Sequence, residues 1–299
     1  MSPLRKLALI CILALAEFAR ADESLDSTLR IGGGTIDLTS PAPLPIKSEL
    51  VKQWTERAAV ALTHFYGRFP VKYVKLVVSP ASHGRIGGGV EHNGERIDIH
   101  LGPQTRASDL LADWTLTHEM FHLSQPDLEE DYSWMSEGMA DYLEPVARVS
   151  VNQITPEKFW GDLVDGLPQG LPETGDQGLD RTHTWARTYW GGALFWFLAD
   201  VRIRQQTHNQ KSVRDAAKAA LDAGGDGSQE WPLDRLIEVY DRGTVTTVFK
   251  DLHDEMGNKP VQTDLDGLWK SLGVLEERGR VTFDDKAPLA EIRRGITSR

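Results

Sequence analysis

The sequence predicts an α+β chain. Three observations carry that reading: an ordinary globular balance of 40% hydrophobic and 26% charged residues among 299, three short β-type runs between residues 71 and 101, and apolar residues at helical spacing on both sides of those runs. The runs are expected to form one small sheet within residues 22–150, and residues 151–299 to form a mainly helical C-terminal part.

In chain order, the first 21 residues read as an export leader. Arg5 and Lys6 precede an apolar run from Leu7 to Ala16, and Ala19-Arg20-Ala21 is an A-x-A cleavage site. That run is about half the ~20 residues that cross a bilayer, so cleavage after Ala21 is expected, leaving a secreted or periplasmic chain without a membrane span. From Ile46 to Tyr66, a helix places Val51, Trp54, Ala58, Leu62 and Phe65 on one side. Strands follow at Val71–Val78, Gly88–His92 and Arg96–Leu101, the last alternating Ile97, Ile99 and Leu101 with Arg96, Asp98 and His100. Asn93-Gly94 links the last two as a hairpin with a two-residue turn, because this pair readily takes positive φ. The glycines at 87–89 either admit another backbone alongside the strand or make a bulge.

Ser108 caps a helix whose apolar positions are Leu110, Leu111, Trp114 and Leu116 and which stops near Pro126. A second helix runs from about Asp131 to Pro145 or shortly beyond. Gly161–Asp180 reads as a long surface loop and Trp185–Val201 as a buried core helix. Short helices at 213–223, 233–240, 245–256 and 265–275 precede a polar tail.

Composition removes several function classes. The only cysteine, Cys11, lies in the leader, which excludes disulfides, thiol nucleophiles and thiolate metal sites from the mature chain. Lys and Arg number 33 against 44 Asp and Glu; without Arg5, Lys6, Arg20 and Glu17 the counts become 30 and 43, a net charge of −13. Such a surface repels phosphate backbones, so no nucleic-acid partner is expected.

His118-Glu119-Met120-Phe121-His122 is an H-E-x-x-H on a helical segment. Residues four apart on a helix carry Cβ atoms about 5 to 6 Å apart, so both imidazoles reach one ion while Glu119 faces the same space. Two histidines leave a tetrahedral Zn²⁺ short of one protein ligand plus a water. Glu129, Glu130, Asp131, Glu137, Asp141 and Glu144 are the downstream carboxylates. Of these, Glu137 and Asp141 share a face of the second helix one turn apart, where one can bind the ion and the other hold an imidazole from behind.

Trp134-Met-Ser-Glu137-Gly-Met-Ala-Asp141-Tyr142 resembles the W-x-x-E-G-x-x-x-Y that follows H-E-x-x-H in gluzincin metallopeptidases, above all the glycyl aminopeptidases and their alanyl aminopeptidase relatives. The resemblance implies a thermolysin-like zincin catalytic domain with an edge strand, an active-site helix and a ligand helix. It further implies one Zn²⁺ per chain on His118, His122 and Glu137, with Glu119 as general base and Asp141 behind a ligand histidine. Gly88-Gly89-Val90-Glu91-His92 is similar to the families' G-G-L-E-H and G-A-M-E-N, a strand beside the cleft. Substrate-binding roles are thereby implied for Gly88, Gly89 and Glu91, the last toward a free α-amine. Tyr189-Trp-Gly-Gly-Ala-Leu194 resembles Y-x-K-G-A-L, whose Tyr donates to the tetrahedral oxyanion, with Gly191 here in place of Lys. Read without the resemblance, Tyr189 is a core residue.

Two departures stand out. Only 14 residues, 123 to 136, separate His122 from Glu137, fewer than these families use, and residues 22–45 leave no room for their large N-terminal β domain. The expected activity is zinc-dependent hydrolysis of peptide or protein substrates, with Glu91 pointing to an aminopeptidase. An endopeptidase is the reading if Glu91 instead pairs with structure such as Arg85, and a non-catalytic peptide-binding relic is a third.

Overall fold

The computed structural model describes residues 25–298; the leader expected at 1–21, Cys11 included, lies outside the described residues. Five strands form a mixed sheet in the order β1-β2-β3-β5-β4: β1 (Asp26–Ile31), β2 (Gly34–Thr39), β3 (Tyr73–Pro80), β4 (Ile86–His92) and β5 (Arg96–Leu101). β2, β3 and β5 run parallel, while β1 and β4 are antiparallel edges. The sheet is therefore larger than the three expected strands. The signal for the first two was present: Gly32-Gly33 takes φ of 56° and 85° between alternating runs, and Ile36 and Leu38 are fully buried. The hairpin joining β4 and β5 forms as expected, but three residues separate the paired His92 and Arg96 rather than two.

Helix α1 (Ser48–Tyr66) buries all five residues assigned to its apolar side and ends on Gly67 in the left-handed region, whose N–H bonds to Thr63 O. The single helix expected from Ser108 is two, α2 (Ala107–Ala112) and α3 (Thr115–His122). Asp113 explains the break: its carboxylate accepts the N–H of Leu116 at 3.1 Å and Trp54 Nε1–H at 3.0 Å, capping a fresh helix. Helix α4 (Ser133–Ser150) continues through Pro145, which removes only one helical N–H.

The loop expected at 161–180 is corrected as well. Helix α5 (Pro156–Gly166) occupies its start, with the Thr155 hydroxyl accepting the Lys158 N–H and Pro156 in the first turn. Phe159, Trp160 and Leu163 are buried, so this segment is core. Helix α6 (Gly192–Gln206) is buried nearly all round, as its composition predicts, but it enters through a π-helical turn at Arg187–Gly191, and Trp185 is exposed. Helices α7 (Val213–Asp222), α8 (Leu233–Thr244), α9 (Val248–Met256) and α10 (Leu265–Leu272) follow near their expected places. The expected polar tail instead holds the hairpin β6 (Val274–Glu277) with β7 (Arg280–Phe283), then α11 (Ala290–Ile296). Among the described residues no helix is long and apolar enough to cross a membrane.

Candidate metal centre and cleft

Helix α3 turns His118 and His122 toward α4, which presents Glu137. His118 Nε2 lies 3.3 Å from His122 Nε2, and Glu137 Oε2 lies 3.2 Å from the first and 3.6 Å from the second. A tetrahedral ion with bonds of about 2.0 to 2.1 Å separates its ligand atoms by about 3.3 to 3.4 Å, so the three atoms already stand at the spacing Zn²⁺ needs. Two nitrogens and one carboxylate suit zinc and leave a fourth position open.

The electrostatics agree with that fit. Burial opposes a charge on His118, yet Asp141 and Glu137 outweigh it and raise its pKa to about 10. Burial likewise opposes ionisation of Glu137, yet the two imidazoles hold its carboxyl well below the usual range. The pocket stabilises positive charge where the ligand atoms meet. Behind them, Asp141 Oδ1 stands 3.0 Å from His118 Nδ1, the contact that leaves Nε2 free to face an ion.

Glu119 is 7% exposed and lies under the edge strand. A Cβ on Gly89 would stand 2.4 Å from Glu119 Cγ, so only glycine lets β4 close over this carboxylate. Burial raises the Glu119 pKa, with His122 and His118 pulling the other way. Gly88 has open space at its Cα, and the ladder with β5 shifts register between Ile86 and Gly89, so the glycines form a bulge as well as a close approach.

Tyr189 reaches the centre from the π-helical turn, its ring stacked 6.4 Å from that of His118. It is half-buried, not a core residue. Burial pushes its pKa up to about 12, helped by Glu137, Asp141 and Glu119, so the phenol keeps its proton at neutral pH. Its approach depends on two glycines that let α4 and α6 touch backbone to backbone. A Cβ on Gly138 would meet the Gly192 carbonyl carbon at 2.1 Å, and one on Gly192 would meet Trp134 O at 2.1 Å. Gly138 follows Glu137 directly and Gly192 lies three residues past Tyr189, so this crossing sets both groups. The turn is also held from behind, where buried Arg187 pairs with the Asp176 carboxylate at 2.8 Å.

Glu91 lies next to the last residue of β4, within electrostatic reach of His122 and Glu119. Its Oε1 accepts the Gly94 N–H at 2.6 Å, and burial raises its pKa to about 7. Among the described residues it makes no salt bridge; Arg85 pairs instead with Asp109 at 2.9 Å. A segment that the sequence does not connect to the site packs against the β4–β5 turn beside Glu91. Asp127 bridges to Glu230, the Gly227 N–H donates to Leu123 O at 3.3 Å, and Gly227 and Ser228 pack against Gly94. A cleft of about 920 Å³ runs along Arg85–Gly89 and past His118, Glu119 and Tyr189 to Trp114, Trp185 and Trp190.

No protein-family model matches the sequence. No curated protein matches it. Solved structures do. An aminopeptidase N family protein from Idiomarina loihiensis superposes with a TM-score of 0.65 at 16% identity, over 84% of this chain and 49% of that one. The chain has the fold of an M1 zincin catalytic domain. An M1 zinc metallopeptidase from Deinococcus radiodurans gives 0.53 at 13% identity over 79% of this chain and 51% of that one, and yeast LTA4 hydrolase gives 0.53 at 13% over 80% and 40%. The chain thus spans about half or less of these M1 zincins, and at such identity the likeness concerns fold. One variant of the Deinococcus enzyme is bound to a Tyr-Ser-Ala substrate.

Proposed function

We propose that this chain is a zinc-dependent aminopeptidase that releases residues from the free amino end of peptides. The convergence of His118 Nε2, His122 Nε2 and Glu137 Oε2 beside Glu119 is the observation that carries the reading. The Tyr-Ser-Ala bound in the Deinococcus enzyme supports a peptide as substrate. Zn²⁺ held by the three side chains supplies Lewis acidity toward the scissile carbonyl and toward water. Glu119 takes the proton from the attacking water and returns it to the leaving amine, and its raised pKa suits both steps. Tyr189, protonated at neutral pH, donates to the developing oxyanion. Asp141 orients His118.

The choice of exopeptidase rests on Glu91. A substrate strand antiparallel to β4 along its free edge places its amino end toward Glu91 and the segment around Gly227 that packs on the adjacent turn. Glu91, without a salt-bridge partner among the described residues, then receives the α-ammonium. Gly88 and Gly89 lie beside the backbone flanking the scissile bond. Export by the leader places this activity in the periplasm or outside the cell.

Purified protein is analysed for metal and assayed with and without chelator on matched free and N-acetylated peptides. One equivalent of zinc and chelator-sensitive cleavage of the free peptides are expected. Failure to take up zinc together with no hydrolysis overturns the reading. Faster cleavage of acetylated peptides by the metal-loaded protein leaves an endopeptidase.

A further inference from the structure

The cleft carries features that hydrolysis does not use. Trp114, at the break between α2 and α3, is 51% exposed, and Trp185, just before the π-helical turn, is 63% exposed. Exposed indoles are costly in water, and these two belong to one continuous series of rings. Trp114 meets His118 edge-on at 5.5 Å, His118 stacks on Tyr189, and Tyr189 stacks on Trp185 at 5.5 Å. Both tryptophans line the cleft.

The charges around them are unequal. Every Arg and Lys side chain lining the cleft is neutralised: Arg85 by Asp109, Lys158 by Asp162, and Arg148 by Glu144. Asp113 and Asp165 line it with no salt-bridge partner among the described residues, Asp113 accepting two neutral N–H groups. The cleft therefore joins flat aromatic faces to uncompensated negative charge, the combination that attracts a guanidinium or ammonium group.

Direction is set by the strand. β4 runs from Ile86 to His92, so an antiparallel substrate has its amino end at Glu91 and its later residues at Gly87 and Arg85, beside the open cleft. We infer that this cleft is a specificity subsite for a cationic side chain, arginine or lysine, on the leaving side of the scissile bond, with Trp114 and Trp185 as its walls. The inference rests on the proposed peptidase reading for which bond breaks. It does not depend on that reading for binding.

The test uses the tripeptides Leu-Arg-Ala, Leu-Ala-Ala, Leu-Phe-Ala and Leu-Asp-Ala. Hydrolysis by the zinc-loaded protein reads kcat/KM, and calorimetry on Glu119→Gln reads binding without turnover. Leu-Arg-Ala is expected to exceed Leu-Ala-Ala by about 10-fold in both readouts, with Leu-Asp-Ala the weakest. Trp114→Ala and Trp185→Ala should each bring the Arg-to-Ala ratio toward one, and Trp185→Phe should retain most of it. Equal values across the series, a preference for Leu-Phe-Ala, or a ratio insensitive to both tryptophans overturns the subsite. If no peptide is hydrolysed but Leu-Arg-Ala binds with the tryptophan-dependent preference, the peptidase reading fails and the subsite stands.

Discussion

The two ends of the cleft are built by opposite means. At the Glu91 end, the β4–β5 hairpin and the segment around Gly227 press backbone against backbone, and Glu91 lies partly buried among them, hydrogen-bonded to Gly94. Toward Trp114 and Trp185, side chains from α2, α3, α4 and α5 stand back to leave about 920 Å³. Backbone packing gives a fixed boundary, whereas side chains on separated helices give a surface whose chemistry single substitutions can alter. On the proposed reading, the first end would mark where a peptide begins and the second would select among its later side chains.

That contrast has meaning only if the centre between the ends hydrolyses peptides, and the largest expected effect tests this. Glu119→Gln should lower kcat by about 10² to 10⁴ while zinc content, read by elemental analysis, stays at one equivalent. Retention of most activity would break the comparison at its middle. Tyr189→Phe should lower kcat by about 10² to 10³ with little change in KM, since the lost bond forms mainly in the transition state. A lower melting temperature with normal turnover would return Tyr189 to a packing role. Asp141→Asn should weaken zinc affinity about 10- to 100-fold in a competition titration without emptying the site at saturating metal.

Sharpening the contrast between the ends requires Glu91. Glu91→Ala should raise KM for free-amine peptides about 30-fold and leave N-acetylated ones nearly unaffected, because truncating one partner of a desolvated charge pair costs about 2 kcal/mol or more. Equal losses on both substrates would show that the Glu91 end does not read the amine. The pH dependence is the smallest effect. The pair needs Glu91 ionised, above about 7, and the amine protonated, below about 7.7 to 8.0. Affinity for free-amine peptides should therefore rise about 6-fold from pH 6 to 7.5 and fall again above pH 8. In Glu91→Gln the rise on the acid side should vanish.

The residues of the candidate centre were legible because they are grouped locally. His118, Glu119 and His122 share one turn, and Glu137 and Asp141 share another, so helical periodicity alone aligns each set. Strand β5 and the apolar face of α1 were legible for the same reason, their periods of 2 and 3.6 residues being written directly in the chain. Pairing the two ligand helices was not local, and there the family resemblance supplied a link that spacing could not.

The rest depends on contacts distant along the chain. Tyr189 reads as core by composition, and only the π-helical turn with the Gly138–Gly192 crossing brings its ring over His118. The segment around Gly227 carries no motif, yet it lies against the β4–β5 turn because Asp127, about 100 positions earlier, pairs with Glu230 beside it. Trp185 reads as part of a buried helix and stands in the cleft instead. The sequence by itself determined which groups are candidates for metal binding and proton transfer, since residue type and periodicity are enough to single them out. The tertiary structure decided what surrounds them, because the turn of the β4–β5 hairpin, the segment around Gly227 and the tryptophans of the cleft meet only after folding.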